Sequence, residues 1–342
     1  MDLYKLIRPL LFKLDPEKVH DLVMKISDFY QGFLSKNGRS NSNPDLATSL
    51  AGLALKNPLG LAAGMDKNAK LIYLWKSLGF GFVEIGTVTL KPQEGNPKPR
   101  IFRVPESQSI VNRLGFNNDG ALVIAKRLQR RPNNFVVGAN IGKNKSTSLE
   151  DAHREYQESF AILSPLVDYI TINISSPNTP GLRSLQQPTL LKNLLRGISK
   201  LRAQHNLLNF PIFLKLSPDT DHAEAEEITT ICKGEGLSGL ILSNTTVNLD
   251  MLPEHTRSRL GENPGGLSGP LLFNRSYALQ QHFYKFTQGN LPIIACGGIS
   301  DGEQLRKVLA NGASAAQIYT ALIYHGPKIV PRCLDHLIAQ PL

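Results

Sequence analysis

From Leu59 onward the chain repeats one unit, a short apolar strand followed by an amphipathic helical stretch, and it does so eight times. The strands read at Leu59–Ala63, Val83–Gly86, Val136–Asn140, Tyr169–Asn173, Ile212–Leu216, Gly239–Ser243, Ile293–Cys296 and Ala315–Tyr319. Helical patterns such as Ala69–Leu78, Leu149–Leu163, Pro188–His205 and Gly302–Leu309 lie between them. Parallel strands cannot be joined by tight hairpins, so each needs a long crossover, usually a helix. Eight such units in series predict an α/β fold closed into a (βα)8 TIM barrel. A doubly wound open sheet is the alternative, but it calls for a Gly-rich dinucleotide turn after the first strand, and none is present. A length of 342 residues accommodates one barrel with an appendage.

The appendage is the N-terminus. Leu3, Ile7, Leu10, Leu11 and Leu14 recur at helical spacing, with Pro9 among them as a kink or break. Asp15-Pro16-Glu17 reads as a helix cap with Pro in the first turn. Behind it Val19, Leu22, Val23, Ile26, Phe29, Tyr30 and Phe33 form a second stripe, and a Gly/Ser/Asn stretch, Asn37 to Asn43, follows. The division is therefore a helical module, 1–36, and a barrel, 44–342. The helices either pack on the barrel or lie in a membrane interface. Charge does not decide between these, because six basic residues against five acidic leave the segment at +1.

Several classes drop out. No apolar run approaches the ~18 residues that span a bilayer, and Met1-Asp2-Leu3-Tyr4-Lys5 does not open a secretory signal. Cys232, Cys296 and Cys333 are far apart and form no CxxC pair, so reduced, buried thiols are expected. The net charge of +10 invites nucleic acid, but no run of five or six Lys/Arg occurs, nor any zinc-finger spacing or aromatic RNP-like stripe; no nucleic-acid partner is expected. Gly138 to Asn144 imitates a P-loop but is one residue short between its glycines and lacks the terminal Ser/Thr. HExxH and GxSxG are absent, the eight histidines show no ligand-like spacing, and no metal is expected.

The chemistry-bearing residues share a position. Gly64 and Lys67 follow the first strand, Thr87 the second, Asn140 ends the third and Asn173 the fourth. Lys215 ends the fifth, Ser243-Asn244-Thr245 the sixth, Gly297-Gly298 follow the seventh and Tyr319-Thr320 the eighth. A barrel builds its active site on that C-terminal face. The glycines at strands seven and eight, with Gly265-Gly266-Leu267-Ser268-Gly269, suit a phosphate, because glycine lets backbone N–H groups approach an anion closely.

Four strings carry a resemblance: Asn57-Pro-Leu-Gly-Leu-Ala-Ala-Gly-Met-Asp-Lys-Asn68, Glu84-Ile-Gly-Thr-Val-Thr89, Asn112-Arg-Leu-Gly-Phe-Asn-Asn118 and Asn173-Ile-Ser-Ser-Pro-Asn-Thr-Pro-Gly181. Through them the chain resembles the dihydroorotate dehydrogenases over essentially its whole length. Ser176, where the soluble class 1 enzymes carry cysteine, and the amphipathic N-terminal pair make it similar to the class 2, membrane-associated, quinone-linked branch. The resemblance implies oxidation of (S)-dihydroorotate to orotate in de novo pyrimidine biosynthesis, with FMN as cofactor, Ser176 as the base and a membrane quinone as the final oxidant. It implies FMN contacts at Ala63, Gly64, Lys67, Thr87, Asn140, Asn173, Lys215, Ser243, Gly269, Gly298, Tyr319 and Thr320. It implies substrate contacts at Lys67, Asn112, Arg113, Leu114, Gly115, Phe116, Asn173, Asn178, Asn244 and Thr245, and quinone contacts at His20, Arg103 and Tyr319. Peripheral attachment to the cytoplasmic face of a bacterial inner membrane follows, through N-terminal helices on an anionic lipid surface. Two rivals make other demands. A tRNA-dihydrouridine synthase-like flavin barrel needs a cysteine acid and a basic C-terminal module, and a non-catalytic membrane scaffold needs no intact Ser176, Lys67 or Lys215.

Overall fold

The computed structural model describes residues 3–37, 43–261 and 264–342, and for 30–37 the backbone alone. The expected linker at 38–42 and the side chains of Tyr30 and Phe33 lie outside the described residues. Eight parallel strands close into a barrel: β1 (Leu59–Leu61), β2 (Phe82–Val88), β3 (Val136–Ile141), β4 (Tyr169–Asn173), β5 (Ile212–Leu216), β6 (Gly239–Leu242), β7 (Ile293–Cys296) and β8 (Ala315–Ile318). They pair in sequence order, and β8 returns to β1 with Gln317 opposite Gly60. That closure rules out the open sheet. Most strand residues are buried on both faces, which is why the strands read as continuous apolar runs rather than alternating ones.

Two short sheets lie outside the barrel ladder. An antiparallel hairpin, Thr48–Leu50 with Leu53–Leu55, turns at Ala51-Gly52, both at positive φ (48° and 85°), the signature of a tight primed turn. Its Leu50 and Leu55 pack with Phe82, Tyr169 and Phe213, aromatic residues at the starts of barrel strands, so the hairpin closes the N-terminal end. At the other end an antiparallel sheet joins Ile101–Val104, Ser109–Asn112 and Gly266–Ser268 around its own small core of Val104, Val111, Leu252, Leu260 and Leu267. It brings the Asn112–Phe116 segment to the mouth.

The N-terminal helices are α1 (Leu3–Leu11) and α2 (Pro16–Asn37). The expected break at Pro9 does not occur. The helix continues through Pro9 to Leu11 and ends two residues beyond it. Asp15 caps α2 as read, its carboxylate accepting from Lys18 N at 2.9 Å. Polar bonds hold the pair to the barrel. Tyr4 Oη donates to the Ile323 carbonyl, Arg8 to Tyr324 O at 2.7 Å, and Arg103 to the carbonyls of Leu11 and Leu14 at 3.1 and 3.0 Å. Glu17, nearly buried, accepts from Arg100 Nη2 at 2.6 Å. The Tyr4 ring lies 2.4 Å from where a Cβ at Gly326 would sit, and Gly326 has φ +69°, so only glycine fits there.

Met24 packs against the barrel core, but most apolar residues of these helices and of the turn between them face away from the protein. Leu3 is 69% exposed, Leu10 66%, Leu14 56% and Ile26 49%, and α1 buries no residue at all.

Candidate active site

One cavity opens at the C-terminal ends of the strands. Its wall takes Ala63, Gly64 and Lys67 from the segment after β1, Thr87 from β2 and Asn173, Ser176 and Asn178 from the end of β4 and its loop. Lys215 comes from β5, Ser243, Asn244 and Thr245 from the end of β6, Gly298 from β7, and Tyr319 and Thr320 from β8. Gly269, Asn112, Leu114, Gly115 and Phe116 come from the sheet that covers the mouth and its flanks. Every βα unit but the third contributes its strand end, so residues scattered along the chain converge on a single face.

Four nominated residues stand elsewhere. Asn140 is fully buried one layer behind the wall, where its Oδ1 accepts from Thr87 Oγ1 at 2.6 Å and from Asn173 Nδ2 at 3.1 Å. Arg113 follows a strand in which neighbours alternate sides, so Asn112 and Leu114 face the cavity while its guanidinium turns out to Pro99 O (3.1 Å) and the Phe102 ring. His20 places Nε2 3.1 Å from the Met65 carbonyl, beside Lys67. Arg103 stacks on Phe12, whose ring meets Tyr324 edge-on at 5.2 Å, and Tyr324 lines the cavity. Of the three residues nominated together for quinone, only Tyr319 is in the cavity wall.

At the β7–β8 end the backbone makes a cradle. Gly269, Gly297 and Gly298 have φ +120°, +108° and +83°. A Cβ on Gly298 would lie 2.3 Å from Phe273 N, so side chains are barred and the amides stay accessible. The N–H groups of Gly298, Tyr319 and Thr320 find no acceptor among the described residues. Side-chain bonds fix the surroundings: Thr320 Oγ1 to Ser268 Oγ at 2.9 Å, and Ser243 Oγ to Ser276 Oγ at 2.9 Å.

The electrostatics suit an anionic ligand. Lys67 and Lys215 face the same space, and Lys215 is 5% exposed with no carboxylate within ion-pair distance among the described residues. Enclosure lowers the Lys67 ammonium to about 8, the largest cause being desolvation. Burial, then the nearby Lys67 charge, lowers His20 as well. Burial pushes the Tyr319 phenol up to about 12, so it remains a hydrogen-bond donor. Cys296, also in the wall, has its thiol raised by burial, and Cys232 and Cys333 are buried and free, as expected.

The sequence reading missed what stands under the wall. Glu84 is wholly buried and takes hydrogen bonds from Asn140, Tyr169, Thr171 and Gln317. A charged residue inside the apolar run Phe82-Val83-Glu84-Ile85 was the available signal. Tyr324 and His325, which also line the cavity, carried none.

A closed (βα)8 barrel with its polar and charged side chains gathered at the C-terminal mouth belongs to the class of α/β-barrel enzymes. Within that class the chain belongs to the dihydroorotate dehydrogenase family, whose model matches residues 45–340. Dihydroorotate dehydrogenase (quinone) of Gloeobacter violaceus is 44% identical to it over 99% of this chain and 95% of that protein. Dihydroorotate dehydrogenase (quinone) of Coxiella burnetii is 40% identical over 98% of this chain and 96% of that protein. The crystal structure of the Eimeria tenella DHODH in complex with ferulenol superposes with a TM-score of 0.84 at 38% identity, covering 95% of this chain and 91% of that one. The quinone-dependent likeness read from the sequence therefore stands.

Proposed function

We propose that this chain oxidises (S)-dihydroorotate to orotate in pyrimidine biosynthesis, with FMN in the barrel mouth and a membrane quinone as final acceptor. The observation that carries this reading is the convergence of Ser176, Lys67, Lys215 and the asparagines on one cavity that ends in a glycine cradle. FMN fits the residues present. Its phosphate suits the unpartnered amides of Gly298, Tyr319 and Thr320, and its ring system suits the wall of Ala63, Gly64, Thr87, Asn173 and Ser243. When bound, FMN supplies the two-electron acceptor that the protein itself lacks.

The chain's own residues do the rest. Lys67 offers a counter-charge to the substrate carboxylate, and Asn112, Asn173, Asn178 and Asn244 offer amides that donate and accept at once. Lys215, enclosed and without a carboxylate partner among the described residues, favours negative charge in the cavity. Ser176 Oγ accepts from Asn178 N at 3.3 Å and takes the proton from the substrate carbon. A hydroxyl is a weak base, so the proton needs an exit. Thr179 Oγ1, buried and without a partner among the described residues, suits a water-borne path beside Phe116.

Residues 1–36 form the membrane and quinone module and 44–342 the catalytic barrel. The exposed leucines supply apolar area, and Lys5, Lys13, Lys18 and Lys25, all exposed, supply charge for anionic lipid. No helix among the described residues is long and apolar enough to cross a membrane, which suits peripheral attachment on the cytoplasmic face of a bacterial inner membrane. Quinone enters between α1 and the cavity at Tyr319 and Tyr324; His20 and Arg103 line the approach rather than the cavity. The test is direct. Purified protein shows a flavin spectrum, releases FMN, is bleached by dihydroorotate without air, and is reoxidised by quinone in preference to fumarate or NAD. An adenine-containing flavin, or no bleaching, overturns the reading.

A further inference from the structure

Glu84 sits in β2 with its side chain inside the barrel and fully buried. Its Oε1 accepts from Asn140 Nδ2 at 2.9 Å. Its Oε2 accepts from Tyr169 Oη at 3.1 Å, Thr171 Oγ1 at 3.0 Å and Gln317 Nε2 at 3.0 Å. No Lys, Arg or His lies within ion-pair distance of it among the described residues. A buried, unpaired carboxylate is a poor way to stabilise a barrel, since an apolar side chain of similar size does it better. Its presence points to a task other than packing.

That task lies in the direction of the bonds. An asparagine or glutamine amide fits a site either way round, and only its neighbours decide which end points where. A carboxylate offers acceptors alone. Asn140 must therefore turn its NH₂ to Glu84 and its oxygen toward Asn173, whose Nδ2 donates to Asn140 Oδ1 at 3.1 Å and Thr87 Oγ1 at 3.0 Å. Asn173 Oδ1 then faces the Ser175 amide and hydroxyl, both at 3.3 Å, and Asn244 Nδ2 at 3.4 Å. Asn244 Nδ2 also donates to Ser175 Oγ at 3.0 Å, leaving Asn244 Oδ1 to accept from Thr245 N at 2.8 Å. One carboxylate thus sets the sense at the head of a chain of amides that ends in the cavity wall, and the Ser175 and Thr245 N–H groups hold the same sense at its far end.

A second arm leaves Glu84 through Gln317. Its NH₂ is committed to the carboxylate, so its Oε1 is left as a buried acceptor without a donor among the described residues, in a residue that lines the cavity. Burial and Glu84 both hold the Tyr169 phenol well above its usual range, so Tyr169 stays a donor and cannot reverse the pattern.

We propose that Glu84 is the positioning residue that sets the donor–acceptor sense of the ligand pocket, presenting Asn173 and Asn244 on the substrate side and the Gln317 oxygen to a ligand N–H on the cofactor side. The identity of the two ligands rests on the function proposed above, so wild-type protein is titrated first with FMN and then with orotate. Failure at that step faults the proposed function and is read on wild type alone. Glu84→Met removes the acceptors at similar volume and weakens both orotate and FMN at least tenfold. Glu84→Gln keeps one acceptor but adds a donor that lets the amides turn, and weakens both about threefold to tenfold. Gln317→Leu weakens FMN more than orotate. A packing role would instead lower Tm and leave both dissociation constants of the folded protein unchanged, and that result overturns the proposal. Should Glu84→Met not fold, Glu84→Gln, which keeps size and shape, decides by the same two constants.

Discussion

The barrel mouth and the N-terminal helices depart from ordinary burial in opposite directions. At the mouth, Glu84, Asn140, Asn173, Ser176 and Lys215 are polar or charged groups taken out of water. On α1, α2 and the turn between them, Leu3, Leu6, Leu10, Leu14, Leu22 and Ile26 are apolar groups left in it. Buried polar groups cost stability unless they are paired, and contiguous exposed apolar surface marks a binding face. On the function proposed above, each departure is the imprint of a ligand, an ionised polar molecule in the first region and a lipid-like one in the second. The junction between them is held by polar bonds from Tyr4, Arg8, Arg103 and the Glu17–Arg100 pair, beside a few apolar contacts such as Phe12 on Tyr324 and Met24 on the core. The helices are thus positioned by hydrogen bonds while their apolar area stays available, and the two regions can be broken separately.

The largest effect belongs to the mouth. Ser176→Ala should slow dihydroorotate-driven flavin reduction by roughly 10²–10⁴-fold, the usual loss with a general base, while FMN stays bound. Rapid-mixing reduction at the wild-type rate would assign the proton to another group. Next comes deletion of residues 1–36, which should leave bleaching by dihydroorotate in place. Reoxidation by a long-tailed quinone should fall by more than about tenfold, since membrane attachment raises the local quinone concentration. A truncated protein that holds FMN and turns over with quinone at full rate would make the helices mere packing.

Lys67 sharpens the mouth side through pH. Its ammonium titrates near 8 in the folded protein, below the 10.5 it has when exposed. The charge is complete well below pH 8 and is lost above it. Orotate affinity should therefore be flat at low pH and fall as pH rises past 8, by up to about tenfold per unit. Folding responds with the opposite sign: between about 8 and 10.5 the unfolded chain holds a proton that the folded chain does not, so Lys67 adds stability as pH rises. Lys67→Met should flatten the orotate profile. A wild-type profile that is level from pH 7 to 9 would remove Lys67 from carboxylate binding.

How much was legible in the sequence follows the range of the interactions. The barrel was legible because each strand and helix writes its own period, and the strand ends came with it. The helix expected at Ala69–Leu78 begins only at Ile72, because Ala69 adopts φ +55° and Asp66 captures the amides of Lys70 and Leu71. The sheet over the mouth was not legible. Gly266–Ser268 pairs with Ser109–Asn112 across most of the barrel sequence, and three or four residues carry too little period to announce it. The Glu84 network was missed for a related reason, since its partners Asn140, Tyr169, Thr171 and Gln317 come from three other strands. The outward turn of Arg113 likewise depends on which face its strand presents, which a motif string does not state.

The smallest effect tests the helices without cutting them off. Leu10 is 66% exposed on α1, and its side chain supports nothing in the barrel. Leu10→Ser should leave Tm, FMN content and dihydroorotate bleaching as they are, because exposed substitutions rarely move stability by more than about 0.5 kcal/mol. If that side chain enters a lipid interface, replacing it forfeits part of a leucine's transfer free energy, about 1 kcal/mol or slightly more. Partitioning onto vesicles of mixed neutral and anionic lipid should then weaken about fivefold to tenfold, and quinone turnover on those vesicles should fall with it. Leu122, 66% exposed on the helix Ala121–Leu128, is the control, since the same substitution there removes equal apolar exposure outside the N-terminal pair. Equal losses at Leu10 and Leu122 would mean that the vesicles read general hydrophobicity, and the contrast between the two regions would lose its meaning. A loss confined to Leu10 places the membrane on α1.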